Sequence, residues 1–200
     1  MHTDTYIQNL IKDQSFFEIH QETVLGIEME VFKNRPRSLV DFIELSVSHG
    51  NQPYLIYEDR VISFEQHFHL VKRIAYLLVY SYGIKPGDRV AIYAANAPEW
   101  IIFFWATVGI GAIVCGLNGW WKGEEAINAI NYADPKLVVV DSKRYERIQD
   151  DLSYQTYNFE ISDLSELESE LEEFIRVDED DCACLLYTSG TTGTPKGVMT

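Results

Sequence analysis

Near the end of the chain, hydroxyls, glycines and one lysine crowd into Tyr187-Thr188-Ser189-Gly190-Thr191-Thr192-Gly193-Thr194-Pro195-Lys196-Gly197. Glycines let a backbone turn sharply and approach a ligand closely. The hydroxyls of Thr188, Ser189, Thr191, Thr192 and Thr194 add donors beside the loop N–H groups. Lys196 supplies a mobile positive charge. Backbone N–H groups, hydroxyls and a cation converging on one spot make a cradle for polyphosphate. The apolar run from Cys182 to Tyr187 directly in front reads as a buried strand, too short for a helix.

A Walker A loop requires Gly-Lys-Ser/Thr, the last hydroxyl reaching the metal. Here Pro195 precedes Lys196 and Gly197 follows it, so that pattern fails. The run from Tyr187 to Val198 instead resembles the phosphate loop of the adenylate-forming enzymes: acyl- and aryl-CoA synthetases, luciferases and peptide synthetase adenylation domains. Gly83 to Asn96 and the Gly111-Ala112 step resemble segments that these enzymes carry earlier in the chain. Asn118-Gly119-Trp120-Trp121 with Glu124-Glu125 is most similar to free-standing acyl-CoA synthetases. The resemblance covers about residues 36–200.

The resemblance implies a two-step activation of a carboxylic acid, expected to be a fatty acid. ATP gives an acyl-adenylate and pyrophosphate, and a thiol, expected to be coenzyme A, then takes the acyl group. It implies nucleotide contacts from Thr188, Ser189, Gly190, Thr191, Thr192, Gly193, Thr194, Lys196 and Gly197. It makes Lys196 the catalytic cation and Thr188 a ligand of Mg²⁺. The family's metal glutamate, ribose-binding aspartate and small C-terminal domain come later than Thr200, so the chain is expected to be the front part of a longer protein and inactive by itself.

Other constellations are weaker. His67 and His69 fall two apart on an expected helix and face different ways; exposed polar positions are the expectation for both. Glu65 shares a face with His69, but two groups do not make a metal site. There is no Gly-x-Ser-x-Gly elbow, and Ser189 has no evident base. Gly109-Ile110-Gly111 lacks the third glycine of a dinucleotide fingerprint, since position 114 is Val114. Trp100 to Leu117 carries no charge over 18 residues, the lower limit for a membrane span. Gly109 and Gly111 favour a buried helix running into a buried strand instead. An inert phosphate-binding remnant and a protein anchored through residues 100–117 remain the alternatives to an enzyme.

The 200 residues suffice for one core, and the formal charge of -15 disfavours nucleic acid and anionic membrane as partners. Three cysteines form no CxxC pair, and the N-terminus has no signal-peptide pattern; a reducing cytoplasm is expected.

The elements that must position the loop follow from periodicity. Residues 1–35 read as an N-terminal arm packing on the body, and 36–200 as the first part of the adenylation domain. Ser38 opens a helix that Gly50 ends. Tyr54–Tyr57 and Val61–Phe64 form a hairpin around Glu58-Asp59-Arg60. Ser63 and Gln66 form a capping box for a helix whose inner face is Phe64, Phe68, Val71, Ala75, Leu78 and Tyr82. Strands follow at Arg89–Ala94, Ala112–Cys115 and Leu137–Val140, with helices opened by Asn96 and Pro98 and at Glu124–Ala133. Glu166–Phe174 reads as a short acidic helix, and Asp178–Asp181 as a solvated connection without function. The alternation indicates an α/β fold layered helix–sheet–helix, the incomplete N-terminal part of the large domain of an adenylate-forming enzyme.

Overall fold

The structure is a computed structural model that describes residues 2–12, 17–159, 164, 166–188 and 196–200; for residues 2–5 and Lys196 the backbone alone is described. The chain divides into two compact units. One is Met1–Ser38 with Asp178–Asp180, the other Leu39–Val177 with Asp181–Thr200.

The first unit holds helix α1 (His2–Leu10) and a hairpin of β1 (Ile19–Val24) and β2 (Ile27–Phe32). Leu25 and Gly26 both take positive φ, 50° and 81°, the handedness that matches the twist of a two-residue hairpin. Glu179 is bound into this unit rather than merely solvated. Its carboxylate accepts from Arg35 Nε at 2.7 Å and from Arg37 Nη1 at 2.8 Å. Both arginines also pair with Glu22, and their hydrogen bonds, that of Arg37 first, hold its carboxyl at about 2.

The second unit is built on a six-stranded sheet. In chain order its elements are α2 (Leu39–Ser46), β3 (Pro53–Tyr57), β4 (Arg60–Ser63), α3 (Phe64–Tyr80), β5 (Arg89–Tyr93), α4 (Pro98–Gly109), β6 (Ile113–Gly116), α5 (Gly123–Ala133), β7 (Leu137–Val140), α6 (Ser142–Tyr145), β8 (Thr156–Asn158), β9 (Cys184–Thr188) and β10 (Lys196–Met199). The sheet order is β10-β9-β6-β5-β7-β8, and β3 pairs with β4 as a separate hairpin. The strands from β9 through β8 run parallel; β10 alone is antiparallel to its neighbour.

Side-chain alternation sorts this sheet into two cores. Val90, Ile92, Leu137 and Val139 point into one, shared with Val71, Ile74 and Leu78 of α3 and Ile102 and Phe103 of α4. Ala91, Tyr93, Val138 and Val140 point into the other, shared with Ala126, Ala129 and Ile130 of α5. A strand covered on both faces has no polar side to show, which is why Leu137–Val140 is purely aliphatic and entirely buried. The layers are therefore helix, sheet, helix.

Local signals were mostly realised. The Ser63 hydroxyl accepts from Gln66 N–H at 3.1 Å, and the Gln66 side chain accepts from Ser63 N–H at 2.9 Å. The apolar stretch from Trp100 breaks into α4 and β6, and no helix among the described residues is long and apolar enough to cross a membrane.

Three expectations are corrected. Ala97, not Asn96, caps α4, with no side-chain hydrogen bond, because Pro98 at the first helical position already removes one N–H that a cap would serve. Glu166–Phe174 is not helical. Within it Leu171 N–H donates to Lys72 O at 3.0 Å, and directly after it Ile175 N–H donates to Gly109 O at 2.9 Å. Leu171 and Phe174 enter the core while Glu170 reaches His69 and Arg73. His67 is buried rather than exposed, its ring centroid 4.6 Å from that of Tyr54. Neither ring nitrogen has a partner among the described residues, and burial holds its pKa at about 4.

Candidate active site

β9 delivers the loop. It pairs with β6 in parallel, so Thr188 lies at the carboxyl end of the sheet, the end at which open α/β sheets bind ligands. β10 returns antiparallel, and in register Lys196 stands opposite Thr188, Gly197 opposite Tyr187 and Val198 opposite Leu186. The two residues expected to carry most of the chemistry thus form the neck of one hairpin. Ser189, Gly190, Thr191, Thr192, Gly193 and Thr194, expected to contact nucleotide, lie outside the described residues.

The strand is less buried than its sequence suggests. Leu185 is buried under α5, but Leu186 on the opposite face is 47% exposed, and Thr188 is exposed. Gly197 is needed for packing as much as for any ligand. A Cβ there would stand 2.9 Å from Leu185 Cδ2 and 3.3 Å from Tyr132. Tyr187 is fixed at both ends: its hydroxyl donates to Ala129 O at 2.6 Å, and its ring meets Trp121 edge-on at 5.5 Å. Burial pushes the Tyr187 phenol well above its usual range, so it acts as a donor and not as a base.

The neighbouring loops at the same end are tied down by charge. β5 is followed by α4 on one face and β6 by α5 on the other, so the switch point lies between them. There Gly119 lies close against the end of β5: a Cβ on it would stand 2.5 Å from Ala94 O. Arg144 Nε donates to Gly119 O at 3.0 Å. Arg147 Nη1 donates to Gly119 O and Trp121 O, each at 3.2 Å, and Tyr93 OH donates to Trp121 O at 2.6 Å. Asp141 caps α6 through Arg144 N–H and accepts from Ala95 N–H, both at 2.8 Å. Sequence reading missed Arg144, Arg147 and Asp141; only a cap-like Asp after the β7 run could have signalled the last.

Metal chemistry has few donors here. No group of three His, Cys, Asp or Glu among the described residues could hold a metal ion. The exposed Thr188 hydroxyl is a hard oxygen donor of the kind that suits Mg²⁺ carried by a nucleotide, since Mg²⁺ keeps phosphate and water oxygens for most of its shell. Cys115, Cys182 and Cys184 are free, and burial pushes the Cys115 thiol up to about 12.

The sequence profile of the AMP-binding enzyme family matches residues 44–200. The chain is 32% identical over 151 residues to 2-succinylbenzoate–CoA ligase of Bacillus velezensis, covering 72% of this chain and 29% of that protein. It is 30% identical over 179 residues to crotonobetaine/carnitine–CoA ligase of Salmonella agona (78% and 34%). It is 28% identical over 196 residues to long-chain fatty acid transport protein 6 of Mus musculus (87% and 32%). The chain thus spans about a third of the length of these relatives. Among solved structures, O-succinylbenzoate coenzyme A synthetase from Bacillus subtilis, in complex with AMP, superposes with a TM-score of 0.68 at 27% identity, over 78% of this chain and 41% of that one. VinN shares the fold at a TM-score of 0.74 and 23% identity, over 81% and 43%. With a family profile that matches residues 44–200, most of its length, the chain belongs to the AMP-binding enzyme family.

Proposed function

We propose that the protein is an ATP-dependent acid–CoA ligase. The observation that carries this reading is the hairpin neck, Thr188 opposite Lys196 at the carboxyl end of a parallel sheet, in a chain whose relatives are named as CoA ligases. A substrate carboxylate attacks the α-phosphate of ATP, and pyrophosphate leaves. The coenzyme A thiol then attacks the acyl carbonyl of the adenylate, and AMP leaves. Charge builds on the departing pyrophosphate, where preorganised donors lower the barrier most. Lys196 and the hydroxyls and N–H groups of residues 188–194 are the proposed donors, with Gly197 at the close approach. Thr188 would contribute one oxygen to Mg²⁺ carried by ATP, which would supply charge neutralisation at the phosphates.

The proposed acid is a fatty acid, which the name of the mouse relative supports. The proposal includes a cytoplasmic setting, where ATP is abundant and unpaired cysteines stay reduced. The test is ATP–pyrophosphate exchange by the full-length gene product with fatty acids of several lengths, an aryl acid and carnitine. Exchange that requires a fatty acid, followed by coenzyme A consumption, is the expected result. ATP binding without exchange for any acid would reduce the protein to a phosphate-binding one.

A further inference from the structure

The loop Asn118–Trp121 spends two arginines, a tyrosine hydroxyl and a glycine on its own fixation. Arg144 is itself buried and held by Asp141 at 3.1 Å. Such investment in the six-residue connection between β6 and α5 needs a reason. Trp120 turns outward and is 85% exposed, so it is not the residue being positioned. Trp121 turns inward against Tyr187, the residue next to Thr188. Tyr187 in turn stands opposite Gly197 and is flanked on its other side by Tyr132, at 6.4 Å between ring centroids.

We propose that Trp121 is a positioning residue for the β9–β10 hairpin: Arg147 and Tyr93 anchor its carbonyl, Arg144 and Arg147 anchor that of Gly119 in the same loop, and its ring fixes Tyr187 and thereby the neck formed by Thr188 and Lys196. β9 needs such a device. Among the described residues, Leu186 leaves one of its faces half open, and its partner β10 is the edge of the sheet. An aromatic pair with edge-on geometry contributes beyond the area it buries, and it fixes orientation. A displacement of about 1 Å at a reacting group costs up to roughly 100-fold in rate, so a small rotation of Tyr187 would be felt at the neck.

This inference deepens the adenylation reading and rests on it for its kinetic half, so the test has a structural half that does not. Hydrogen exchange of the full-length gene product is compared for wild type, Trp121→Ala, Trp121→Phe and Arg147→Met. Trp121→Ala should speed exchange of the amides of Cys184–Thr188 and Lys196–Met199 by about tenfold and leave β5 and β7 unchanged. Trp121→Phe, which keeps a ring against Tyr187, should restore most of the protection. Arg147→Met, which removes one anchor of three, should act in the same direction by a smaller factor and keeps the test open if Trp121→Ala does not fold. In ATP–pyrophosphate exchange, Trp121→Ala should lower kcat roughly 10- to 100-fold with the KM for the acid unchanged. Unchanged protection of the hairpin in both Trp121→Ala and Arg147→Met, or loosening spread equally over β5 and β7, would overturn the proposal. A wild-type protein without exchange activity would sink the adenylation reading while leaving the structural comparison readable.

Discussion

β7 and β9 are both short apolar strands of one parallel sheet, and they do opposite jobs. Leu137–Val140 is sealed on both faces by helices, and all four side chains are fully buried. Cys184–Thr188 has one face under α5 and the other half open, and it ends in the candidate phosphate loop. β7 is held by burial. β9 is held by register with β6, by the Tyr187 hydroxyl and by the Trp121 ring. At β9 directional contacts therefore add to a smaller buried area. The lesson is that apolar composition marks a strand but not its exposure.

The sharpest way to break this comparison is a matched pair of leucines. Leu137→Ala in β7 should destabilise by about 2–5 kcal/mol, since it leaves a cavity in a closed core. Leu186→Ala in β9 should cost about 1 kcal/mol, because much of its side chain is already in water. Urea unfolding of both variants decides the matter; equal costs would mean that β9 is as sealed as β7.

Acid should weaken the covered side before the carboxylates titrate. His67 in α3 has a folded pKa of about 4, lowered by burial. Unfolding frees its ring to take a proton at the ordinary value near 6.5. Its contribution is therefore complete above pH ~6.5 and is lost as pH falls from there to about 4, for a total on the order of 3 kcal/mol. In His67→Phe the urea midpoint should be flatter over that window. An unchanged slope would mean that His67 is solvated.

Gly197→Ala should destabilise by about 1–3 kcal/mol through overpacking, its nearest obstacle being the end of the Leu185 side chain rather than backbone. Its hairpin should lose protection in hydrogen exchange while β7 does not. Loss in both strands would mean that the two share one packing unit.

Particular residues show why the sequence was legible in some places and silent in others. The capping box at Ser63 and Gln66, the aliphatic β7 and the break between α4 and β6 are local effects, written in adjacent residues. The β1–β2 hairpin went unread because Leu25 is an unusual residue for a positive φ, and its turn lacks the Asn-Gly or Asp-Gly signal. Glu166–Phe174 has helix-forming composition, yet the bonds that hold it and the next residue, to Lys72 and Gly109, come from residues far away in sequence. His67 was misplaced because Tyr54, which covers it, belongs to another element. At the site, Thr188 and Lys196 stand out by type and spacing and pair across the hairpin, while residues 189–194 lie outside the described residues. Arg144, Arg147 and the inward turn of Trp121 were not legible, because they act through backbone carbonyls that carry no sequence signature.

The central claim is that the β9–β10 hairpin holds the phosphates of ATP during adenylate formation, and Lys196→Ala in the full-length gene product tests it most directly. ATP–pyrophosphate exchange at saturating acid and several ATP concentrations should fall roughly 100- to 1000-fold in rate, with a smaller change in the KM for ATP, as for loss of a preorganised donor. Lys196→Arg should restore only part of the rate. A wild-type exchange rate in Lys196→Ala would contradict the assignment of the hairpin as the phosphate site.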